Sequence, residues 1–392
     1  MNNFEFFAPT EVIFGRGAQE QTGAQARKFG ARKVMLVTGG GSVVRSGLLG
    51  QVENSLTREG IPFVEFAGAR PNPTLAHACE GIRKAVNEHV DMIIAIGGGS
   101  TIDTAKAIAH GTANPDHELW DIWTRKVALE KSLPVGAVLT IPAAGSEMSD
   151  SAVLTNEEIG KKSGINTPFN RCRFAIMNPE VAFTLPDQQL AAGITDIMMH
   201  TMERYFIPGV KCDLTDEIAE GLLRTVIKNG RILMKDKNNY DAMAEIMWAG
   251  SLSHNNLTEC GRGKDFSVHK LGHALSARYD VTHGASLSAV WGAWAQYLYR
   301  DAKGRFAQYA ERVWQVQEDD AENAAAEGIK RTVAFFREIG MPVSLKELGV
   351  TVSEQEIHAL ALDATMNDTV KLSKIRPLNA EDVAQIYRMA LK

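Results

Sequence analysis

Met92-Ile93-Ile94-Ala95-Ile96-Gly97-Gly98-Gly99-Ser100-Thr101-Ile102-Asp103 decides the fold class. Five apolar residues in succession suit a strand buried on both faces, and the glycines let the chain turn tightly into a helix. The same grammar recurs on either side of this stretch. Val34-Met35-Leu36-Val37 leads into Thr38-Gly39-Gly40-Gly41-Ser42, and residues 135–141 and Phe174-Ala175-Ile176-Met177 continue the series. Each run closes on Gly, Pro or Asn, the punctuation of strand ends. Continuous apolar runs separated by helices predict a parallel sheet covered on both faces. Glu11-Val12-Ile13-Phe14-Gly15 reads as an additional edge strand.

Beyond Pro186 the period changes. Ala219, Leu222, Leu223, Val226 and Ile227 fall at i, i+3, i+4, i+7 and i+8, which is one face of a helix. Ile329, Val333 and Phe336 repeat the spacing before Gly340, a residue suited to end a helix. No strand series follows residue 188, and Glu318-Asp319-Asp320 reads as a solvated helix start. The expectation is an α/β dinucleotide-binding domain of Rossmann-like type over residues 1–187. An all-helical domain over 188–392 would follow it, with a site in the cleft between them.

Length and composition agree. The chain has 392 residues, 45% hydrophobic and 23% charged, which excludes disorder, collagen and coiled coil. Length alone suggests two or three domains. No apolar stretch approaches the ~18–20 residues of a membrane span, and the N-terminus lacks the pattern of a signal peptide. A net charge of −5 with no Lys/Arg block argues against nucleic acid as a partner. Cys79, Cys172, Cys212 and Cys260 are scattered and form no CxxC, as in a reduced, cytoplasmic protein.

Two strand-to-helix junctions, at residues 39–42 and 97–100, carry Gly-Gly-Gly-Ser. A tight turn with Ser as N-cap accounts for either one alone. Two in one sheet point further, because glycines admit a phosphate to the backbone and a helix N-terminus offers it N–H donors. A pyrophosphate at one loop and an adenosine ribose at the other would suit a dinucleotide. Asp103 is expected in the first helical turn, able to cap N–H groups or bind a ligand hydroxyl.

The second half concentrates histidine. Asp196 and His200 are spaced i, i+4, as are His269 and His273, and His283 follows after a break near Tyr279-Asp280. Residues four apart share a helical face, so two such pairs can assemble an oxygen-plus-imidazole site for a divalent metal. Any one of these histidines alone reads more simply as a half-buried polar residue, and His110 and His254 keep that reading. Trp248, Met199, Phe266 and Leu257 either line an apolar pocket or belong to the core.

Taken together, these segments resemble the iron-containing (group III) alcohol dehydrogenase family over essentially the whole chain. The resemblance rests on the opening Pro9-Thr10-Glu11-Val12-Ile13-Phe14-Gly15-Arg16-Gly17 and on Pro71-Asn72-Pro73. It includes residues 97–106, Thr140-Ile141-Pro142-Ala143-Ala144-Gly145-Ser146-Glu147 and the Asp/His groups. Gly39-Gly40-Gly41-Ser42 and the tail Arg376-Pro377-Leu378-Asn379-Ala380-Glu381-Asp382 are similar to the butanol dehydrogenase and broad aldehyde reductase branch.

That resemblance implies Asp196, His200, His269 and His283 as ligands of one iron or zinc ion, and His273 as a non-ligand histidine near the nicotinamide. It implies Gly98, Gly99, Ser100 and Asp103 as pyrophosphate and ribose contacts. Asn72, Thr140, Ser146 and Lys162 would line the cofactor, beside Gly39, Gly40, Gly41 and Ser42. Many NAD-using relatives carry Asp where this chain has Gly39, so NADP is the expected cofactor, with NAD as the second choice. The reaction implied is hydride exchange between the nicotinamide and a primary alcohol or aldehyde whose oxygen the metal polarises. A cytoplasmic homodimer is expected. The rival enzyme is a lyase resembling 3-dehydroquinate synthase, which would need a basic pocket that the metal-bearing half does not offer. The non-catalytic rival is a nucleotide-binding regulator with a structural metal.

Overall fold

The computed structural model describes all 392 residues, and they divide into two compact units: Phe7–Leu185, and Met1–Phe6 with Pro186–Lys392. Residues 1–6, read above with the α/β half, cluster with the helical unit, where Asn2 N donates to Gly261 O at 2.8 Å. No helix is long and apolar enough to cross a membrane.

The Phe7–Leu185 unit has eight strands: β1 (Glu11–Phe14), β2 (Val34–Thr38), β3 (Phe63–Phe66), β4 (Met92–Gly97), β5 (Val135–Leu139), β6 (Ser151–Asn156), β7 (Lys161–Asn166) and β8 (Phe174–Met177). Six of them form one sheet in the order β1-β8-β5-β4-β2-β3, parallel throughout, with β1 at an edge as the sequence suggested. The central strands β2, β4 and β5 are buried at every position, which is why they read as unbroken apolar runs. β3 escaped the sequence reading because Glu65 interrupts a short edge strand that is only half-buried. The antiparallel hairpin β6–β7 escaped it too. Its first strand alternates half-buried and buried positions and its second is largely exposed, so neither forms an apolar run.

The second unit contains helices and no strand, only an isolated bridge between Leu372 and Leu378. Its centre is the Asp187–Tyr205 helix, buried at every residue over 190–205. A helix covered all round can carry polar groups inward only where they meet partners. The Asp213–Leu233 helix buries Ala219, Leu222, Leu223, Val226 and Ile227, the stripe read from the sequence. Asp320 caps the Ala321–Glu338 helix by accepting from the N–H of Glu322 and Asn323, and Gly340 follows its end at φ +82°.

Candidate functional site

β2 pairs with both β3 and β4, and the chain builds outward from β2 and β4 in opposite directions. The carboxyl ends of these two strands therefore flank the switch point where open α/β sheets bind ligands. Both glycine loops stand there. They are neighbours: a Cβ on Gly39 would lie 3.3 Å from Ala69 O and 3.7 Å from Thr101 Oγ1. A Cβ on Gly97 would collide with the Thr101 side chain, so the close turn requires glycine there. Gly40 has nothing within 4 Å of such a position, and Gly41, at φ +92°, faces Arg45 Nη1 at 3.3 Å.

The serines are not N-caps. Gly98 precedes the Gly99–Ala113 helix and Gly41 precedes the Ser42–Arg45 turn, with no side chain capping either start. Ser100 and Ser42 lie just inside: Gly41 enters at a left-handed φ of +92°, which favours glycine, and a Cβ on Gly98 would press against Ile141 at 3.0 Å. The start of the fifteen-residue Gly99–Ala113 helix thus keeps its first amides free of a side-chain cap.

Asp103 also differs from expectation. It sits beyond the first helical turn, and its carboxylate accepts from Ser146 Oγ at 2.6 Å and Val153 N at 2.9 Å. Lys106, fully buried, donates to Ser146 O, Ser146 Oγ and Ser151 O at 2.7, 2.8 and 2.8 Å. Burial pushes the Asp103 carboxyl up, while Lys106 and the two hydrogen bonds pull it down. Asp103 and Ser146 thus brace the glycine loop against the segment leading into β6.

Two further expected cofactor residues meet directly. Lys162 Nζ donates to Asn72 Oδ1 at 2.9 Å, and Asn72 holds a left-handed φ of 57° between its two prolines. Lys161 is exposed, which separates it from its half-buried neighbour. Thr140 follows β5, its N–H bonded to Gly97 O at 3.1 Å, so it lies beside the glycine turn.

In the helical unit, the Asp187–Tyr205, Ser267–Tyr279 and His283–Leu298 helices bring the carboxylate and imidazoles together. Asp196 Oδ1 stands 3.2 Å from His200 Nδ1 and 3.6 Å from the Nε2 of both His269 and His283. Asp196, His200 and His269 make the tightest group, with one donor atom from each within 4.8 Å of the others. Asp196 Oδ1 and His269 Nε2 are buried without a hydrogen-bond partner. Two buried polar atoms 3.6 Å apart, neither with a hydrogen bond, are what a bound cation would satisfy. The side chains of Asp196, His200 and His269 are at most 5% exposed, whereas His283 is 30% exposed, so the group opens on the His283 side. His273 shares a helix with His269 but is directed elsewhere; its ring centre lies 6.0 Å from that of His269 and 5.3 Å from that of His283.

Burial, reinforced by the neighbouring histidines and Arg204, pushes His200 well below the usual imidazole range. Its Nδ1 donates to Asp196 O at 3.0 Å, which leaves Nε2 as the lone-pair atom. Burial alone would lower His269 as well, but Glu203 and Asp196 outweigh it and raise it to about 9.

Two residues here, Glu203 and Gly284, went unread in the sequence, and a third, His254, was given a plainer reading. Glu203 accepts from both Nδ1 and the backbone N of His269. His254 stacks on His200 with ring centres 4.0 Å apart, where the sequence suggested only a half-buried polar residue. A Cβ on Gly284, next to His283, would collide with the Ala192 backbone. The signals were present in part: Glu203 completes an i, i+4, i+7 stripe with Asp196 and His200. Of the residues offered as pocket or core, Met199 is core, Trp248 is 39% exposed, and Phe266 packs 4.9 Å from the His269 ring.

Comparison with known proteins accords with this geometry. Residues 9–179 match the family described as iron-containing alcohol dehydrogenase, and residues 190–391 match the C-terminal region of the Fe-containing alcohol dehydrogenase family. The chain is 37% identical over 390 residues to NADH-dependent butanol dehydrogenase A of Clostridium acetobutylicum, covering 99% of each. It is 33% identical over 398 residues to the NADPH-dependent aldehyde reductase YqhD of Escherichia coli, covering all of both. The crystal structure of NADH-dependent butanol dehydrogenase A from Thermotoga maritima superposes with a TM-score of 0.95 at 35% identity, covering 100% of this chain and 99% of that one.

Proposed function

The chain belongs to the iron-containing alcohol dehydrogenase family, and on that premise we propose that it transfers a hydride between a nicotinamide dinucleotide and a primary alcohol or aldehyde, as a butanol dehydrogenase or aldehyde reductase. One observation carries the reading. A buried carboxylate and three imidazoles converge, and two of their polar atoms, Asp196 Oδ1 and His269 Nε2, are buried without a hydrogen bond. That donor set suits divalent iron or zinc, held by Asp196, His200, His269 and His283. The ion when bound supplies Lewis-acid polarisation of the substrate C–O bond.

The chain's own residues do the rest. The amides at the start of the Gly99–Ala113 helix receive the pyrophosphate, and the 39–42 loop beside them receives the adenosine ribose. Asn72 and Lys162, already joined, with Thr140 beside the turn, orient the remainder of the cofactor for attack. The exposed side of the His283 imidazole gives substrate a way in, and the His273 imidazole, its ring centre 5.3 Å from that of His283, is the group assigned to exchange a proton there. No observation favours the lyase alternative.

For the cofactor, the absence of a carboxylate at Gly39 and the nearness of Arg45 to Gly41 favour NADPH, although the relatives are named for both cofactors. We also take the protein to act in the cytoplasm, its four cysteines being free. A homodimer fits the unpaired outer edge of β1, the strand that carries the exposed Phe14. The test of the activity is to load the protein with iron or zinc and follow nicotinamide absorbance with a panel of aldehydes. Turnover that requires the metal is expected; no turnover with any aldehyde or alcohol would overturn the proposal.

A further inference from the structure

We infer that Glu203 is a positioning residue for the metal centre, holding His269 in the tautomer and orientation in which Nε2 binds the ion. The inference rests on the metal-site reading above and assigns a role to a residue outside the donor set.

Glu203 lies on the same stripe of the Asp187–Tyr205 helix as Asp196 and His200, and it is 1% exposed. Its two carboxylate oxygens are spent on one residue. Oε2 accepts from His269 Nδ1, and Oε1 accepts from His269 N at 3.1 Å. Its backbone oxygen also accepts from Asp265 N at 3.0 Å, where the chain enters the Ser267–Tyr279 helix. The imidazole is therefore gripped at its far nitrogen and at its own main chain. A carboxylate can only accept at Nδ1–H, so the lone pair of His269 is confined to Nε2, which stands 3.6 Å from Asp196 Oδ1. His200 is held differently, by the neutral carbonyl of Asp196 at 3.0 Å. His269 thus becomes the more basic imidazole donor.

Charge points the same way. Arg204, the next residue, is engaged by Glu259 Oε2 at 3.0 Å and donates to His200 O at 2.8 Å, rather than turning to Glu203. Asp196 and Glu203 together place two carboxylates around His269 in a buried setting, which a divalent ion balances.

The test uses the metal-free full-length protein and cobalt(II), with affinity read by competition against a chromophoric chelator and geometry by the visible absorption of bound cobalt. Wild type should bind one equivalent. Glu203→Gln, which keeps size and removes charge, should bind ~10–100-fold more weakly and shift the cobalt spectrum, while Glu203→Asp should recover part of the loss. Equal affinity and an unchanged spectrum in Glu203→Gln would overturn the role of Glu203 and leave the metal site standing. Failure of wild type to bind cobalt would overturn both. Should Glu203→Gln fail to fold, ring-nitrogen NMR of zinc-loaded wild type decides: a protonated Nδ1 and a metallated Nε2 on His269 are expected, and metallation at Nδ1 would overturn the inference.

Discussion

Gly284 packs against the backbone of Ala192 so closely that even a methyl group would overlap the carbonyl oxygen. This contact brings the start of the His283–Leu298 helix against the Asp187–Tyr205 helix and lets His283 Nε2 come within 3.6 Å of Asp196 Oδ1. Gly284→Ala should push the two helices apart, at ~1–3 kcal/mol for an overpacked contact. The expected result is a lower melting temperature together with less bound metal. Wild-type metal content at an unchanged melting temperature would show that His283 does not depend on this approach.

The donor atoms themselves make the plainest prediction. Asp196→Ala and His269→Ala should each lower bound metal from about one equivalent to a small fraction and abolish turnover. The Phe7–Leu185 unit has its own core, so both variants should still bind nicotinamide cofactor by fluorescence titration. Metal content equal to wild type in both would remove them from the donor set.

His273 separates binding from rate. Because its ring stands beside His283 rather than within the Asp196 group, His273→Asn should retain metal. Its kcat should fall by ~10²–10⁴, the range of a general acid–base contribution. Loss of metal in that variant would make His273 a ligand.

Cofactor choice turns on the 39–42 loop. Wild type should show a higher kcat/KM with NADPH than with NADH. Gly39→Asp places a carboxylate where a 2′-phosphate would sit, and the Cβ needs only a small adjustment at Ala69 O. The variant should therefore lose far more with NADPH than with NADH. A wild-type preference for NADH would contradict the assignment.

His110 gives the fold a pH dependence of its own. It is fully buried, bonded to Ser132 Oγ and Asn170 Oδ1 at 2.8 Å each, and burial lowers it from 6.5 to about 4. The folded protein keeps it neutral while the unfolded chain takes up a proton near pH 6.5. The associated stability is complete above pH 6.5 and is lost as pH falls from 6.5 towards 4, ~3 kcal/mol in all. Urea unfolding of the metal-free protein at pH 7.5 and 5 should show this loss in wild type, with a smaller loss in His110→Gln. Equal losses in the two proteins would exclude His110 as the source.

The elements that the chain reveals by itself are those whose burial leaves a one-dimensional trace. The strands β2, β4, β5 and β8 are covered on both faces and so read as apolar runs, and the stripe from Ala219 to Ile227 reads as a helix packed on one side. Two glycine loops after strands, and Asp and His four apart, suggest phosphate and metal binding by their spacing, while the ligand set itself came from the resemblance to a family. β3 and the β6–β7 hairpin carry no such trace, being half-exposed or alternating. What the tertiary structure alone decided is which polar atoms are already spent. Asp103 gives both oxygens to Ser146 and Val153, while Asp196 Oδ1 and His269 Nε2 remain without hydrogen bonds. Glu203 and His269 meet across two helices, and Gly284 sets how near a third can come. Such facts depend on distances between segments remote in the chain, and hydrogen-bond satisfaction in a buried site is a property of those distances rather than of residue order.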